Sequence, residues 1–166
     1  LTLNDAINGI KDLSLQTKFS YAINLIDNLN YAYTEEMMIT GFHITPKTIL
    51  INLHNNDESI GLIGFIGKID ELKSCPTALQ FLYNEEFSPV ELRRKIKPTV
   101  RAPNSISDVY GLAKIVQFII GDELSIPEYK KLINSALQKN QNNRISLEDF
   151  TSQMLEIQKE VSTLDE

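Results

Sequence analysis

Three stretches of this chain carry side chains that could do chemistry. The first is polar and rich in asparagine, running from Gln138 through Asn140, Asn142, Asn143 and Arg144 to Ser146, Asp149 and Phe150. The second is basic: Arg93, Arg94, Lys95, Lys97 and Arg101 place five of the chain's 16 Lys and Arg within nine residues. On a helix Arg93 and Lys97 share a face with Arg94 beside them, and a phosphate, a nucleic-acid backbone or an acidic partner could dock there. No aromatic residue is interleaved with them, so stacking on exposed bases has no support, and a solvated helix face explains the same run. The third is the pair His43 and His54, 11 residues apart and too distant for a metal pair on one helix. The carboxylates nearest them, Asp57 and Glu58, fall in a turn-forming stretch.

The asparagine-rich stretch resembles an EF-hand loop with the start of its second helix. Asn140 and Asn142 fall at the third and fifth positions, Asn143 at the sixth, Ile145 at the eighth and Ser146 at the ninth, and Phe150 follows where that family places an aromatic residue. The sixth position of such a loop needs a left-handed residue, which Asn tolerates best after Gly. The departures decide the chemistry. Gln138 stands at the first position in place of aspartate, and Asp149 at the twelfth in place of the bidentate glutamate. Asp149 is then the only carboxylate at a ligand position, and calcium affinity tracks ligand charge, so the resemblance implies a calcium-independent unit of the kind that grips a partner helix. The plainer reading is a connector between two helices, with Asn used for its turn propensity.

No other signature of catalysis stands out. Nothing in local sequence matches a Ser-His-Asp or Cys-His arrangement, although such sites assemble in space. Cys75, the single cysteine, lies beside Pro76 with no basic helix end aimed at it and reads as a buried or incidental thiol. Gly61, Gly64 and Gly67 recur with a period of three, which is not the phosphate-binding G-x-G-x-x-G pattern. No cofactor is expected.

Length and composition set the frame. A chain of 166 residues with 42% hydrophobic residues has material for one globular domain or two small lobes. A net charge of −6 argues against broad, sequence-independent binding to nucleic acid. One cysteine permits no internal disulfide and no cysteine-rich metal site, which favours a reducing compartment, and an intracellular, cytoplasmic location is the expectation. The most apolar run, Ile60 to Ile66, is about a third of the roughly 20 residues a membrane helix needs, so no membrane is expected as a partner. The chain opens on Leu1 rather than Met, which fits a piece of a longer protein.

These residues must be positioned by helices for the most part. Asn4 reads as an N-cap with Asp5 in the first turn, opening a short helix to about Leu13. Phe19, Ala22, Ile23, Ile26, Leu29, Tyr33 and Met37 recur at steps of mostly three and four and predict a helix over 17–39 ended by Gly41. Lys47 to His54 alternates and is rich in β-branched residues, which predicts a strand, with Asn55 to Glu58 as a turn. Ser59 to Ile69 is then a partner strand, or else Ser59 to Leu72 is a helix in which Gly61, Gly64 and Gly67 each cost nearly 1 kcal/mol relative to Ala. Pro76 opens a short helix over 77–83.

From Glu85 onward the chain repeats itself. Glu91, Arg93 and Ile96 align with Glu128, Lys130 and Ile133 at a spacing of 37, and Asn104 to Ser107 echoes Asn143 to Ser146 at 39. Each copy reads as helix, polar loop, helix. Ser88, Pro89 and Glu91 predict a capping box, Ser107 a cap for a helix to Ile120 ended by Gly121, Pro127 the first turn of a third helix, and Ser146 the cap of a fourth.

The fold expected is mainly α: an N-terminal helical lobe over 1–84 with a hairpin near 47–69, and a C-terminal lobe over 85–166 of two helix-loop-helix units, with one compact domain as the alternative. The function expected is a non-catalytic adaptor or regulatory module that binds a helix or segment of another protein. The groove residues would be Leu112, Val116, Ile119, Ile133, Leu137, Phe150 and Met154, whose plainer role is the core of the lobe. The rival is a nucleic-acid-associated regulator using Arg93, Arg94, Lys97 and Arg101.

Overall fold

The computed structural model describes residues 2–5, 13–34, 45–52, 59–62, 84–92, 105–121 and 125–164. The fold is mainly helical. Among the described residues four helices carry it: α1, Leu15–Thr34; α2, Ser105–Ile120; α3, Pro127–Ala136; and α4, Leu147–Leu164. Short 3-10 turns stand at Val90–Leu92 and Gln141–Asn143. Two strands, β1 over Ile49–Asn52 and β2 over Ser59–Leu62, pair antiparallel with Ile49 opposite Leu62 and Asn52 opposite Ser59. The hairpin reading therefore describes the start of the glycine-bearing segment, and residues 63–72 lie outside the described set.

The chain enters through a local cap. Thr2, rather than Asn4, holds the first helical turn: the Asp5 N–H donates to the Thr2 hydroxyl at 3.2 Å while the Asp5 carboxylate accepts from Thr2 in return. The Thr2 hydrogen bond also holds the Asp5 carboxyl below its ordinary range. Ser14 caps α1 by accepting from the Thr17 N–H at 3.1 Å, so the helix starts at Leu15, two residues upstream of the predicted start.

Helix α1 buries more than the predicted stripe. Phe19, Ala22, Ile23, Ile26 and Leu29 are buried as their spacing requires, and Tyr21 and Leu25 are buried as well. The extra width follows from its neighbours, since α1 packs against α2, α4 and β2. Asn30 ties α1 to α4 by donating to the Thr151 hydroxyl at 3.0 Å.

Helix α2 is the centre of the packing. Val109, Leu112, Ala113, Ile115, Val116, Ile119 and Ile120 are all buried, a helix apolar around most of its circumference as a central element must be. It ends at Gly121, whose φ of +85° is the left-handed terminator expected of that residue, with its N–H on the Gln117 carbonyl. Helix α3 opens on Pro127 in its first turn as predicted, and α4 on Ser146, whose hydroxyl accepts from the Asp149 N–H at 3.0 Å. The buried side of α4 is Leu147, Phe150, Met154, Ile157 and Val161. One buried cluster runs from Leu3 and Phe19 through α2 to Val161, with Phe19 meeting Tyr129 edge-on at 6.4 Å.

Two further predicted caps are corrected. Ser107 does not start α2, which begins at Ser105; Ser107 is buried inside the first turn. Ser88 and Glu91 do not form a capping box. The Ser88 hydroxyl accepts from the Asn84 N–H at 3.0 Å, and the Ser88 N–H donates to the Asn84 carbonyl at 2.8 Å. Glu91 is drawn elsewhere by a charge it meets only in the folded chain.

Candidate functional site

The loop between α3 and α4 is built from its own asparagine. The Asn140 side chain accepts from the Asn142 N–H at 2.9 Å and caps the 3-10 turn Gln141–Asn143. Asn143 is the last residue of that 3-10 turn, at the position where the EF-hand-like alignment calls for a left-handed residue. Asp149 is exposed in the first turn of α4. Among the described residues, no three His, Cys, Asp or Glu side chains converge in a way that could hold a metal.

What fills the concave side of this loop is the Arg144 guanidinium. Its Nε donates to the Gln138 carbonyl at 3.0 Å, and Nη2 donates to the same carbonyl at 2.8 Å and to Glu91 Oε2 at 3.2 Å. Nη1 donates to Glu91 Oε1 at 2.6 Å and to the Ile106 carbonyl at 2.9 Å. The guanidinium N–H groups thus meet a carboxylate and three backbone carbonyls, those of Ile106, Gln138 and, at 3.5 Å, Lys139, from three separate segments. The Arg144 and Glu91 side chains are 0% and 5% exposed. The Tyr110 ring covers the guanidinium at 5.2 Å. Ser107 completes the ring of contacts, donating to Glu91 at 3.2 Å and accepting from Gln141 Nε2 at 3.0 Å.

Beside this cradle, and sharing Arg144 with it, lies an open cleft of about 390 Å³ between α3, the loop and α4, lined also by Glu128, Lys131, Ser135, Asn142, Ile145 and Gln153. Glu128 and Lys131 are exposed and three residues apart on α3, and Ile145 is half-buried. The Ile145 N–H donates to the Ser135 carbonyl at 3.3 Å and fixes the cleft's floor against α3. A smaller hollow of about 260 Å³ is lined by Gln117, Tyr129, Lys130, Ile133 and Asn134.

A second buried polar pair sits where α1 meets α2. Asp108 is fully buried in the first turn of α2, and the Tyr33 hydroxyl donates to its Oδ2. Among the described residues, Asp108 Oδ1 has no hydrogen-bond partner. Burial pushes the Asp108 carboxyl well above the ordinary carboxylate range, and the Tyr33 hydrogen bond opposes that only in part. Burial, with Asp108 beside it, likewise pushes the Tyr33 phenol up.

The groove residues named from the sequence are placed as follows. Leu112, Val116, Ile119, Ile133, Phe150 and Met154 are buried in the shared core, and Leu137 is half-buried against it. Their apolar surface is taken up by packing among α1–α4. Arg93, Arg94, Lys97 and Arg101 lie outside the described residues, as do His43, His54, Cys75 and the predicted helix over 77–83. The repeat diverges in use, since Glu91 is ion-paired to Arg144 while its counterpart Glu128 is exposed on the cleft rim. Sequence reasoning missed Arg144, Ser107 and the Tyr33–Asp108 pair. The available signal was an arginine inside a loop rich in asparagine and glutamine and an aspartate at the head of a largely apolar helix.

Among the described residues, no helix is long and apolar enough to cross a membrane. No protein-family model matches the chain, and no curated protein matches it.

Proposed function

We propose that this chain is a non-catalytic protein-binding module, an adaptor or regulator that receives a segment of another protein in the cleft between α3 and α4. The observation that carries this reading is the cleft itself: a fixed concavity of about 390 Å³ with opposite charges, Glu128 and Lys131, on one rim and Ile145 at its floor. A short segment offering one apolar anchor flanked by charge would bury the anchor on Ile145 and pair with the rim. The side chains lining the cleft are amides, a hydroxyl, an amine, a carboxylate, an aliphatic group and the Arg144 guanidinium, which is already held by Glu91, and this set suits recognition of a peptide better than bond-breaking.

The test is a displayed random-peptide library panned on the wild-type protein, followed by calorimetry of the enriched peptides on Lys131→Glu and Ile145→Ser. Enriched peptides that lose at least tenfold in affinity on both variants, with helix content unchanged, support the cleft. Peptides that bind both variants as they bind wild type defeat the cleft assignment, and a library that yields no binder defeats the module reading.

A further inference from the structure

The guanidinium of Arg144 is held in the manner of a bound ligand. Its acceptors come from the 3-10 turn at Val90–Leu92 (Glu91), the first turn of α2 (Ile106) and the residues following α3 (Gln138). We propose that this cradle is a guanidinium-selective cation site whose occupant is the chain's own Arg144, and that its occupation latches the α3–α4 loop onto the other two segments. The selectivity is geometric. A planar fork with five donors matches the two Glu91 oxygens and the carbonyls of Ile106 and Gln138 together, whereas an ammonium has three donors and no plane to lie beneath Tyr110. Removing the side chain leaves the Glu91 carboxylate facing inward carbonyls, an anionic pocket with no counter-charge, which an external guanidinium can re-enter.

The experiment uses Arg144→Ala, Arg144→Lys and Glu91→Gln, read by amide hydrogen exchange with and without low-millimolar methylguanidinium, and with methylammonium as the control cation. In Arg144→Ala, exchange at the Asn143 and Arg144-position amides, which bond to Asn140 and Gln141, should rise about a hundredfold relative to the Phe150 amide inside α4. Methylguanidinium should reverse most of that rise and methylammonium none of it. Arg144→Lys should loosen the loop nearly as far as alanine, and Glu91→Gln should loosen it by less while keeping the fold. If Arg144→Ala does not fold, recovery of its helical signal by methylguanidinium alone carries the same information. The proposal is overturned if Arg144→Lys matches wild type, if both cations rescue equally or neither rescues, or if all amides lose protection together.

Discussion

Arg144 and Glu91, 53 residues apart in sequence, form a two-pronged ion pair at 2.6 and 3.2 Å with both side chains almost fully enclosed. A pair of this kind adds little over a well-packed apolar pair, because desolvating both charges offsets their attraction. Its weight appears when one member is removed. Glu91→Ala should therefore cost about 3–5 kcal/mol, since the guanidinium stays buried without its counter-charge. Urea unfolding measures this, and the double variant Glu91→Ala with Arg144→Ala should cost clearly less than the sum of the two single changes.

The buried Asp108 gives stability a pH dependence of unusual sign. Its folded pKa lies above the ordinary value of 3.8, so between the two the folded chain keeps a proton that the unfolded chain has released. The contribution of Asp108 is thus fully present below about 3.8 and is lost as pH rises toward its folded pKa. Asp108→Asn should raise the melting temperature at neutral pH relative to wild type and flatten the slope above pH 4. Thermal unfolding across that range checks both, and a variant that is equally unstable at every pH would show that the carboxyl is not titrating there.

Gly121 ends α2 with φ +85°, and a Cβ added there would meet nothing within 4 Å. The cost of Gly121→Ala is then conformational alone, about 1–2 kcal/mol, and Gly121→Asn should cost less. A steric clash would instead penalise both alike, which chemical denaturation of the two variants distinguishes.

Helix α4 separates a cap from a core. Ser146→Ala removes one hydrogen bond to the Asp149 N–H and should cost about 1 kcal/mol. Phe150→Ala, at a side chain with no exposed surface, should cost about 3–5 kcal/mol through the cavity it leaves. Both are measured as shifts of the urea midpoint.

The helices were legible because their signals are local. Pro127, Gly121 and Ser146 act on residues within one turn, and the stripes of α1 and α4 recur along one chain segment. The failures at Glu91, Ser107 and the Tyr33–Asp108 pair share a cause, whereas Ser88 was taken by Asn84 only four residues away. Ser88, Glu91 and Ser107 carried the right letters for caps, but Glu91 and Ser107 were claimed by Arg144 and Gln141, partners 53 and 34 residues away. Periodicity marks a buried face without naming what lies on it, so Leu112, Val116 and Phe150 could be read as a groove when they are covered by the chain's own helices. The Tyr33–Asp108 contact spans 75 residues and had no local signature at all.

The cradle around Arg144 also sets an order of events in folding. Its acceptors at Glu91, Ile106 and Gln138 meet only after α2 has docked against α3 and the intervening chain has closed. Contacts of that kind are absent from an early nucleus and add to the barrier for leaving the native state. Loss of the ion pair should therefore leave the folding rate nearly unchanged and speed unfolding, so that Arg144 acts chiefly on how long the folded chain persists.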